Sequence, residues 1–156
     1  MSINVLHTES STTWGGQYMR TLQEIRGAKK YGINAFLACP EHAKIGLYAK
    51  EQGLDVYPVP LNWNGDLISI IKLYNLIRHL KIDVLNSHSS KDMWIGGMAA
   101  KFAGIKFIRT QHHPESKRPF RSNLMYHWAD HVIPTGDNVR KQLINDYNLK
   151  NNRVTS

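Results

Sequence analysis

Short apolar runs alternate with helix-like segments along the whole chain, and this alternation limits the possible folds more than any other feature. Six runs have the length and apolar content of buried strands: Ile3–His7, Asn34–Cys39, Asp55–Val59, Asp83–Ser87, Lys106–Thr110 and His131–Thr135. Six segments have helical character: Gln17–Lys30, His42–Gln52, Asp66–Leu80, Lys91–Ala103, Asn123–Trp128 and Asp137–Tyr147. Strict alternation of this kind is typical of a parallel sheet with helices on both faces. The sequence therefore predicts an α/β fold built on a doubly wound, Rossmann-like parallel sheet.

Helix boundaries carry their own signals. Asp66 follows Gly65 and precedes helically spaced apolar residues, so it is expected to cap the third helix. Gly32, Gly53 and Gly104 each come just after a predicted helix, where a left-handed C-terminal cap is expected.

Composition is that of one globular domain. The chain has 156 residues, of which 42% are hydrophobic, enough for a substantial core. We expect a single domain over residues 1–156. The one cysteine, Cys39, lies in an apolar run and is expected to be a buried thiol. No signal peptide is recognised and no apolar run approaches the roughly 18 residues of a membrane span, so a cytoplasmic location is the default expectation.

A polar loop with paired glycines joins the first predicted strand to the first predicted helix. It reads Thr-Glu-Ser-Ser-Thr-Thr-Trp-Gly-Gly-Gln from Thr8 to Gln17. Glycine allows a ligand to approach the backbone, and the free N–H groups of a first helical turn attract anions. The loop therefore predicts an anion site; a tight turn without a ligand is the alternative.

Polar side chains gather where the predicted strands end. In a doubly wound sheet, ligands bind outside the carboxyl ends of the strands. That edge receives His7, Glu9, His88, Ser89, Ser90, Lys91, Asp92, Arg109, Gln111, His112, His113, Thr135, Gly136 and Asp137. The remaining histidines, His42, His79, His127 and His131, fall on helices or at the opposite edge and are expected to be structural or solvated.

Several common chemistries lack their motifs. The loop is not G-x-G-x-x-G, there is no Walker lysine, and no Gly-x-Ser-x-Gly elbow occurs. There is no His-Glu-x-x-His, and if the strand continued, adjacent His112 and His113 would point to opposite faces. We therefore expect no metal site.

The formal net charge of +8 is partly concentrated in one segment. Lys117, Arg118 and Arg121 cluster with Phe120 in a loop-like stretch from Pro114 to Ser122. Such a stretch suits phosphates or an anionic lipid surface. A nucleic-acid partner is not expected, because no binding motif accompanies the charge. Solvated lysines on helix faces account for much of the remaining excess.

Four motifs, in this order and at this spacing, resemble a known family. They are the loop from Thr8 to Gln17, Ile82–Asp92, Ile108–His112 and Ala129–Gly136. Together they are similar to the retaining glycosyltransferases of family 4, which have the two-domain GT-B fold, and the likeness runs from Ile3 to Ser156. It implies an N-terminal, acceptor-side domain, the C-terminal donor-binding domain being absent from this chain. The isolated chain is then expected to be inactive or nearly so.

The resemblance also implies a reaction: transfer of a sugar from a nucleotide-sugar co-substrate, with retention and generally without a metal. No other cofactor is implied. The acceptor would be a lipid-linked molecule or a cell-surface glycan precursor, and the cationic segment would contact anionic headgroups or acceptor phosphates. This would place the protein at the inner face of the membrane.

Site residues follow position by position. Gly15 and Gly16 match the loop that meets the donor diphosphate, and His88 matches a catalytic histidine facing the transferred sugar and the acceptor. Asn86 stands where the family pattern has a first histidine. Arg109 and His112 match an acceptor-side Arg-x-x-His element, to which we add Ser89, Lys91 and Asp137 from the same edge. A capping role alone is the alternative for Asp137, and a structural role the alternative for His88.

A function of another class remains open from the sequence. The chain could be a non-catalytic subunit that recruits an acceptor or a membrane to a separate catalytic chain.

Overall fold

The computed structural model describes residues 2–13, 15–114 and 120–155. Its strands are β1 (Asn4–Thr8), β2 (Asn34–Cys39), β3 (Val56–Pro58), β4 (Val84–Ser87), β5 (Lys106–Gln111) and β6 (His131–Pro134). Its α-helices are α1 (Gly16–Ala28), α2 (Lys44–Glu51), α3 (Leu67–His79), α4 (Ser90–Ala103), α5 (Phe120–Trp128) and α6 (Asp137–Asn145). Two 3₁₀ turns, Lys29–Tyr31 and Asn151–Arg153, complete the secondary structure.

The six strands form one parallel sheet in the order β3-β2-β1-β4-β5-β6. The chain runs outward in one direction from β1 to β3, then returns to add β4, β5 and β6 on the other side of β1. The order therefore reverses between β1 and β4, where His7 lies opposite Asn86 and Thr8 opposite Ser87. This confirms the predicted doubly wound Rossmann-like fold and sets the switch point where such sheets bind ligands.

Both faces of the sheet are covered. Successive residues of a strand point to opposite faces, and in β2 the side chains of Leu37 and Cys39 join one apolar cluster while Ala38 joins another. The first cluster contains buried residues of α1 and α2, and the second contains those of α3 and α4. Cys39 is buried, as predicted.

The predicted helix caps are confirmed. Asp66 caps α3, where its carboxylate accepts a hydrogen bond from the backbone N–H of Ser69 at 3.2 Å. Gly32, Gly53 and Gly104 have φ of 71°, 70° and 70°, the left-handed conformation expected after a helix.

One boundary differs in a way that affects the cationic segment. The segment from Pro114 to Ser122 was expected to be loop-like throughout, but α5 begins at Phe120. Arg121 therefore belongs to a helix, whereas Lys117 and Arg118 lie outside the described residues. The prediction was wrong for residues 120–122, because lysine and arginine are good helix formers and a basic cluster does not by itself indicate a loop.

Candidate functional site

The switch point between β1 and β4 carries the site. His7 is in β1 and Glu9 follows it, while His88 and Ser89 follow β4. Hydrogen bonds link the two strand ends directly: the N–H of His88 donates to the carbonyl of Thr8 at 3.1 Å. The predicted convergence of polar side chains at this edge is therefore present in the structure.

Gly15 and Gly16 open α1 beside this edge. Gly15 has φ −169°, extended backbone that any residue adopts, so its conformation does not require glycine. A Cβ atom built at either position would meet no atom within 4 Å. Neither backbone conformation nor packing in the described structure explains two glycines here. A ligand that approaches the backbone at Gly15 and Gly16 would explain both glycines.

The helix N-termini at this edge differ in charge. α4 is closed by a capping box in which Ser89 and Asp92 satisfy each other's backbone N–H groups. α6 carries Asp137 in its first turn, exposed and without a side-chain cap bond. The first turn of α1 contains no acidic residue and no side-chain cap. Among these three, α1 therefore presents the positive end best suited to an anion.

Two buried carboxylates lie behind the loop. Glu9 accepts hydrogen bonds from the N–H of Ser11 at 3.0 Å and from the side chain of Gln17. Asp92 accepts from the hydroxyl of Thr8 at 2.8 Å and from the N–H groups of His88 and Ser89 at 3.0 and 2.9 Å. Burial, and then the nearby Asp92, raises the pKa of Glu9 to about 7. Burial likewise raises the pKa of Asp92.

Arg109 is an internal residue of this edge. Its side chain is 2% exposed and donates to the carbonyl of Ser89 at 2.9 Å and to the amide oxygen of Gln111 at 2.8 Å. Tyr126 also donates to that oxygen, at 2.9 Å. The guanidinium charge acts on the buried carboxylates and lowers the pKa of Asp92 against the effect of burial. Arg109 thus supplies a buried positive charge that offsets the negative charge of the Glu9 and Asp92 carboxylates.

The other predicted acceptor-side residues are Ser89, Lys91 and Asp137, and they differ in whether they join the hydrogen-bond network at this edge. The hydroxyl of Ser89 bonds to Asp92 and to Ser10, so it belongs to the internal network. Lys91 and Asp137 are exposed. Of the three, Ser89 is therefore the one that the structure joins directly to the β1–β4 edge.

Three histidines form a row across β1, β4 and β5. Nδ1 of His7 lies 2.9 Å from Nε2 of His88, and Nδ1 of His88 lies 2.9 Å from Nε2 of His112. His7 and His88 are buried and His112 is half-buried. Burial lowers the pKa of His7 to about 4 and that of His112 to about 3, and it holds the pKa of His88 well below its usual range. All three imidazoles are therefore neutral at pH 7.

Glu24 of α1 approaches this row. Ligand atoms of His7, Glu24 and His88 lie within 4.8 Å of one another, a spacing at which a metal could in principle be held. The facing nitrogens of the two histidines are at hydrogen-bond distance, however, and such a bond needs a proton that a metal ion would have to replace. The geometry is already satisfied as a hydrogen-bonded group. The expectation of no metal stays a prediction.

Sequence reasoning did not assign roles to the α1 residues that face the site. Gln17 donates to the carbonyl of His88 at 3.1 Å as well as to Glu9, and the hydroxyl of Thr21 lies 3.2 Å from Nδ1 of His88. Their signal is spacing: two polar residues four apart on the inward face of a helix otherwise buried through Tyr18, Leu22 and Ile25.

Within the described residues, no helix is both long enough and apolar enough to cross a bilayer.

Comparison with known proteins gives the site its context. The model of Glycosyltransferase Family 4 matches residues 14–156. An Escherichia coli protein named UDP-Gal:alpha-D-GlcNAc-diphosphoundecaprenol alpha-1,3-galactosyltransferase is 27% identical over 135 residues. The match covers 82% of this chain but 35% of that protein, so the chain spans about a third of the relative's length.

Solved structures share the fold. A glycosyltransferase from Rickettsia africae superposes with a TM-score of 0.80 at 16% identity, over 99% of this chain and 42% of that one. The Anabaena protein Alr3699/HepE, solved with UDP and glucose, gives 0.81 at 12% identity, over 98% and 43%. These structures are GT-B glycosyltransferases, and at such identities they show the fold alone. The family match covers nearly the whole chain, and the chain therefore belongs to Glycosyltransferase Family 4.

Proposed function

We propose that this chain is the N-terminal, acceptor-side domain of a retaining glycosyltransferase. The enzyme transfers a sugar from a nucleotide-sugar co-substrate to a glycan or lipid-linked acceptor, without a metal or other cofactor. The observation that carries the proposal is the N-terminus of α1. It begins with two glycines that the described structure does not require, bears no carboxylate, and adjoins the switch point between β1 and β4.

The donor diphosphate fits this helix end. In glycosyl transfer the nucleoside diphosphate leaves with negative charge, and free backbone N–H groups stabilise such a group without rearranging. The names of the similar proteins agree with a uridine nucleotide: one relative uses UDP-Gal, and one similar structure holds UDP and glucose. We therefore propose a UDP-sugar as the donor, with Gly15 and Gly16 against its diphosphate.

The acceptor side lies along β4 and β5. His88 and Ser89 follow β4 and His112 follows β5, while Lys91 is exposed on α4 and Asp137 on α6. The E. coli relative is named for a diphosphoundecaprenol-linked acceptor. A lipid-linked diphosphate sugar is accordingly the acceptor class that we propose, with the protein positioning its hydroxyl group for attack.

A lipid-linked acceptor calls for a surface that meets the membrane, and α3 offers one. Leu67, Ile68 and Ile71 share one face of this helix and are 69%, 65% and 59% exposed. Between Val56 and Ile82 the acidic residue is Asp66, which is buried as the cap of α3, whereas the cationic residues Lys72, Arg78 and Lys81 are exposed. An apolar face flanked by cations is typical of a helix that lies in an anionic interface. We propose that this face rests on the cytoplasmic side of an anionic membrane.

Vesicle binding tests the membrane contact. The Leu67→Ser, Ile71→Ser double variant should bind phosphatidylglycerol-containing vesicles more weakly than wild type, whereas Phe102→Ser, which removes an exposed ring on α4, should not. Replacing Lys117, Arg118 and Arg121 with alanine measures the separate contribution of the cationic segment. Unchanged binding by both the double and the triple variant would refute the membrane proposal.

Transfer itself is tested with the complete protein that contains this domain. We expect it to move galactose or glucose from the UDP-sugar to a short-chain lipid diphosphate carrying N-acetylglucosamine. The anomeric configuration of the product, read from proton coupling constants, should equal that of the donor. An inverted product would overturn the retaining assignment, and hydrolysis or transfer by this 156-residue chain alone would overturn the assignment as half of an enzyme. A transferase assembled from this chain and a separate catalytic chain would support the recruiting-subunit alternative.

A further inference from the structure

Two buried carboxylates and one buried guanidinium meet behind the loop that leads into α1. Glu9 and Asp92 are both 0% exposed, and Arg109 is 2% exposed. Within the described residues, Arg109 is the only buried lysine or arginine. If both carboxylates were ionised, the group would carry an uncompensated negative charge inside the protein, which is costly. The charges therefore balance when the two carboxylates share one proton.

Hydrogen bonds decide which carboxylate takes that proton. Asp92 accepts from two hydroxyl groups and two backbone N–H groups, and it lies at the positive N-terminal end of α4. Glu9 accepts from one backbone N–H, that of Ser11 at 3.0 Å, and from the side-chain amide of Gln17. Donors to a carboxylate favour its ionised form, so Asp92 is the ionised member of the pair. Burial, and then the charge of Asp92, raises the pKa of Glu9 to about 7, so Glu9 exchanges its proton near neutral pH.

The other titratable groups that face Glu9 keep their protonation over the same range. Tyr18 of α1 and Cys39 of β2 interact electrostatically with Glu9. Burial raises the pKa of the Cys39 thiol to about 12 and also raises the pKa of Tyr18, so both stay neutral. Arg109 of β5 stays charged. Of these groups with Asp92, Glu9 is therefore the one whose charge changes between about pH 6 and pH 8.5.

Glu9 reaches the start of α1 through Gln17. The helix begins at Gly16, so the backbone N–H of Gln17 belongs to the first turn, whose N–H groups have no partner within the helix. The side chain of Gln17 donates to Glu9 and, at 3.1 Å, to the carbonyl of His88. Ser11, bonded to the other carboxylate oxygen of Glu9, precedes the glycines in the same loop. An ionised Glu9 thus places negative charge behind the positive helix end, whereas a protonated Glu9 leaves that end fully available to an anion.

We propose that Glu9 is a positioning residue that ties Ser11 and Gln17 together across the loop and couples donor binding to the uptake of one proton. This rests on the proposed function, in which the diphosphate of a UDP-sugar meets the start of α1. A bound dianion favours the neutral form of a carboxylate behind it, because like charges repel. The proton comes from solvent when the UDP-sugar binds and returns to solvent when the diphosphate leaves. By reciprocity, the donor binds more tightly when Glu9 is protonated.

Carbon NMR of the side-chain carboxyl groups in the 156-residue chain tests the shared proton without any donor. We expect one signal, absent from Glu9→Gln, to titrate near pH 7, while the signal absent from Asp92→Asn remains that of an ionised carboxylate at this pH. Glu51→Gln, which removes an exposed carboxylate of α2, should leave both signals unchanged. A Glu9 carboxyl that keeps one charge state from pH 5.5 to pH 8.5, or a titration by Asp92 in its place, would overturn the proposal.

Calorimetry of the complete transferase tests the coupling. The donor UDP-galactose keeps a constant charge in this range, because each of its phosphates has two substituents and lacks the second ionisation near pH 6. Heats measured in buffers of low and high ionisation enthalpy should show uptake of about half a proton per donor at pH 7.5. The Kd should rise by about five- to tenfold between pH 6 and pH 8.5, as expected for a coupling of about tenfold between proton and donor.

Two matched variants assign the proton to its residue. Glu9→Gln should abolish proton uptake and keep Kd constant over this pH range, whereas Glu51→Gln should behave as wild type. Uptake that persists in Glu9→Gln would overturn the role of Glu9. Wild-type binding without uptake would overturn the coupling even if Glu9→Gln failed to fold, and it would leave the proposed function intact. A complete protein that binds no UDP-galactose would overturn the proposed function and the coupling together, while the NMR titration decides the shared proton separately.

Discussion

At the scale of single residues, the site is a set of buried groups whose charge states depend on one another. Burial lowers the pKa of each of the three histidines and raises the pKa of Glu9 to about 7, while Arg109 supplies the internal positive charge. Unfolding releases each histidine to its ordinary pKa of about 6.5. The fold therefore depends on pH through residues that are far apart in the sequence.

Replacing His7 should make the free energy of unfolding depend less on pH in the acidic range. Its pKa is lowered to about 4 in the folded chain, so the stability that its neutral form contributes is present above about pH 6.5 and is lost as pH falls toward 4. The free energy of unfolding of His7→Phe, from urea titrations, should decline less steeply between pH 6.5 and 4.5, by up to about 1.4 kcal/mol per pH unit. His113→Gln, at an exposed position, serves as the control; equal slopes in wild type and His7→Phe would contradict the buried neutral assignment.

At the scale of secondary-structure elements, the glycines of α1 and α4 have opposite explanations. A Cβ atom on Gly16 would meet nothing within 4 Å, whereas one on Gly97 would lie 2.5 Å from Cε of Met125 and 3.0 Å from Cε1 of Phe107. Gly97 thus allows α4 to pack closely on β5. Packing therefore explains Gly97, whereas a bound ligand is the explanation that we propose for Gly16.

Alanine substitution separates the two explanations. Gly97→Ala should destabilise the chain by about 1–3 kcal/mol through overpacking, seen as a lower melting temperature. Gly16→Ala should leave the melting temperature unchanged or slightly higher, because alanine favours the helix and fits the space. A marked loss of stability in Gly16→Ala would show that this glycine has a structural role.

The cap of α4 can be compared with that of α6. Asp92→Asn removes an acceptor oxygen from a carboxylate bonded to Thr8, His88 and Ser89, and should cost about 1–3 kcal/mol in urea unfolding. Asp137→Asn removes an exposed charge with no cap bond and should cost less than about 1 kcal/mol. Similar costs in both variants would contradict the internal role assigned to Asp92.

The elements were predictable from the sequence to different degrees. Buried strands and caps have local signals, so β2 was predicted with its observed bounds and Asp66 as the cap of α3. The histidine row has no local signal in the sequence. It depends on the register that places His7 opposite Asn86, and pairing across strands is a long-range property. The sequence placed His88 at the edge of the sheet but could not reveal that Thr21 and two other histidines enclose it.

At the scale of the whole molecule, the sheet brings a positive helix end, a buried polar network and a half-buried imidazole to one edge. In the proposed function, the residues after β1 meet the donor, those after β4 and β5 meet the acceptor, and α3 meets the membrane. The chain covers about two fifths of the similar GT-B structures. We expect the remaining donor contacts to come from outside this chain.

A pair of variants on one helix tests the central claim that the donor diphosphate meets the backbone where α1 begins. Gly16→Val and Gly27→Val make the same change at the two ends of α1, and in both a Cβ atom meets nothing within 4 Å. We expect Gly16→Val to lower kcat/KM of the complete transferase with UDP-galactose by at least about 10²-fold at an unchanged melting temperature. Gly27→Val should stay close to wild type. Equal kcat/KM in wild type and Gly16→Val would show that the diphosphate does not bind at this helix end.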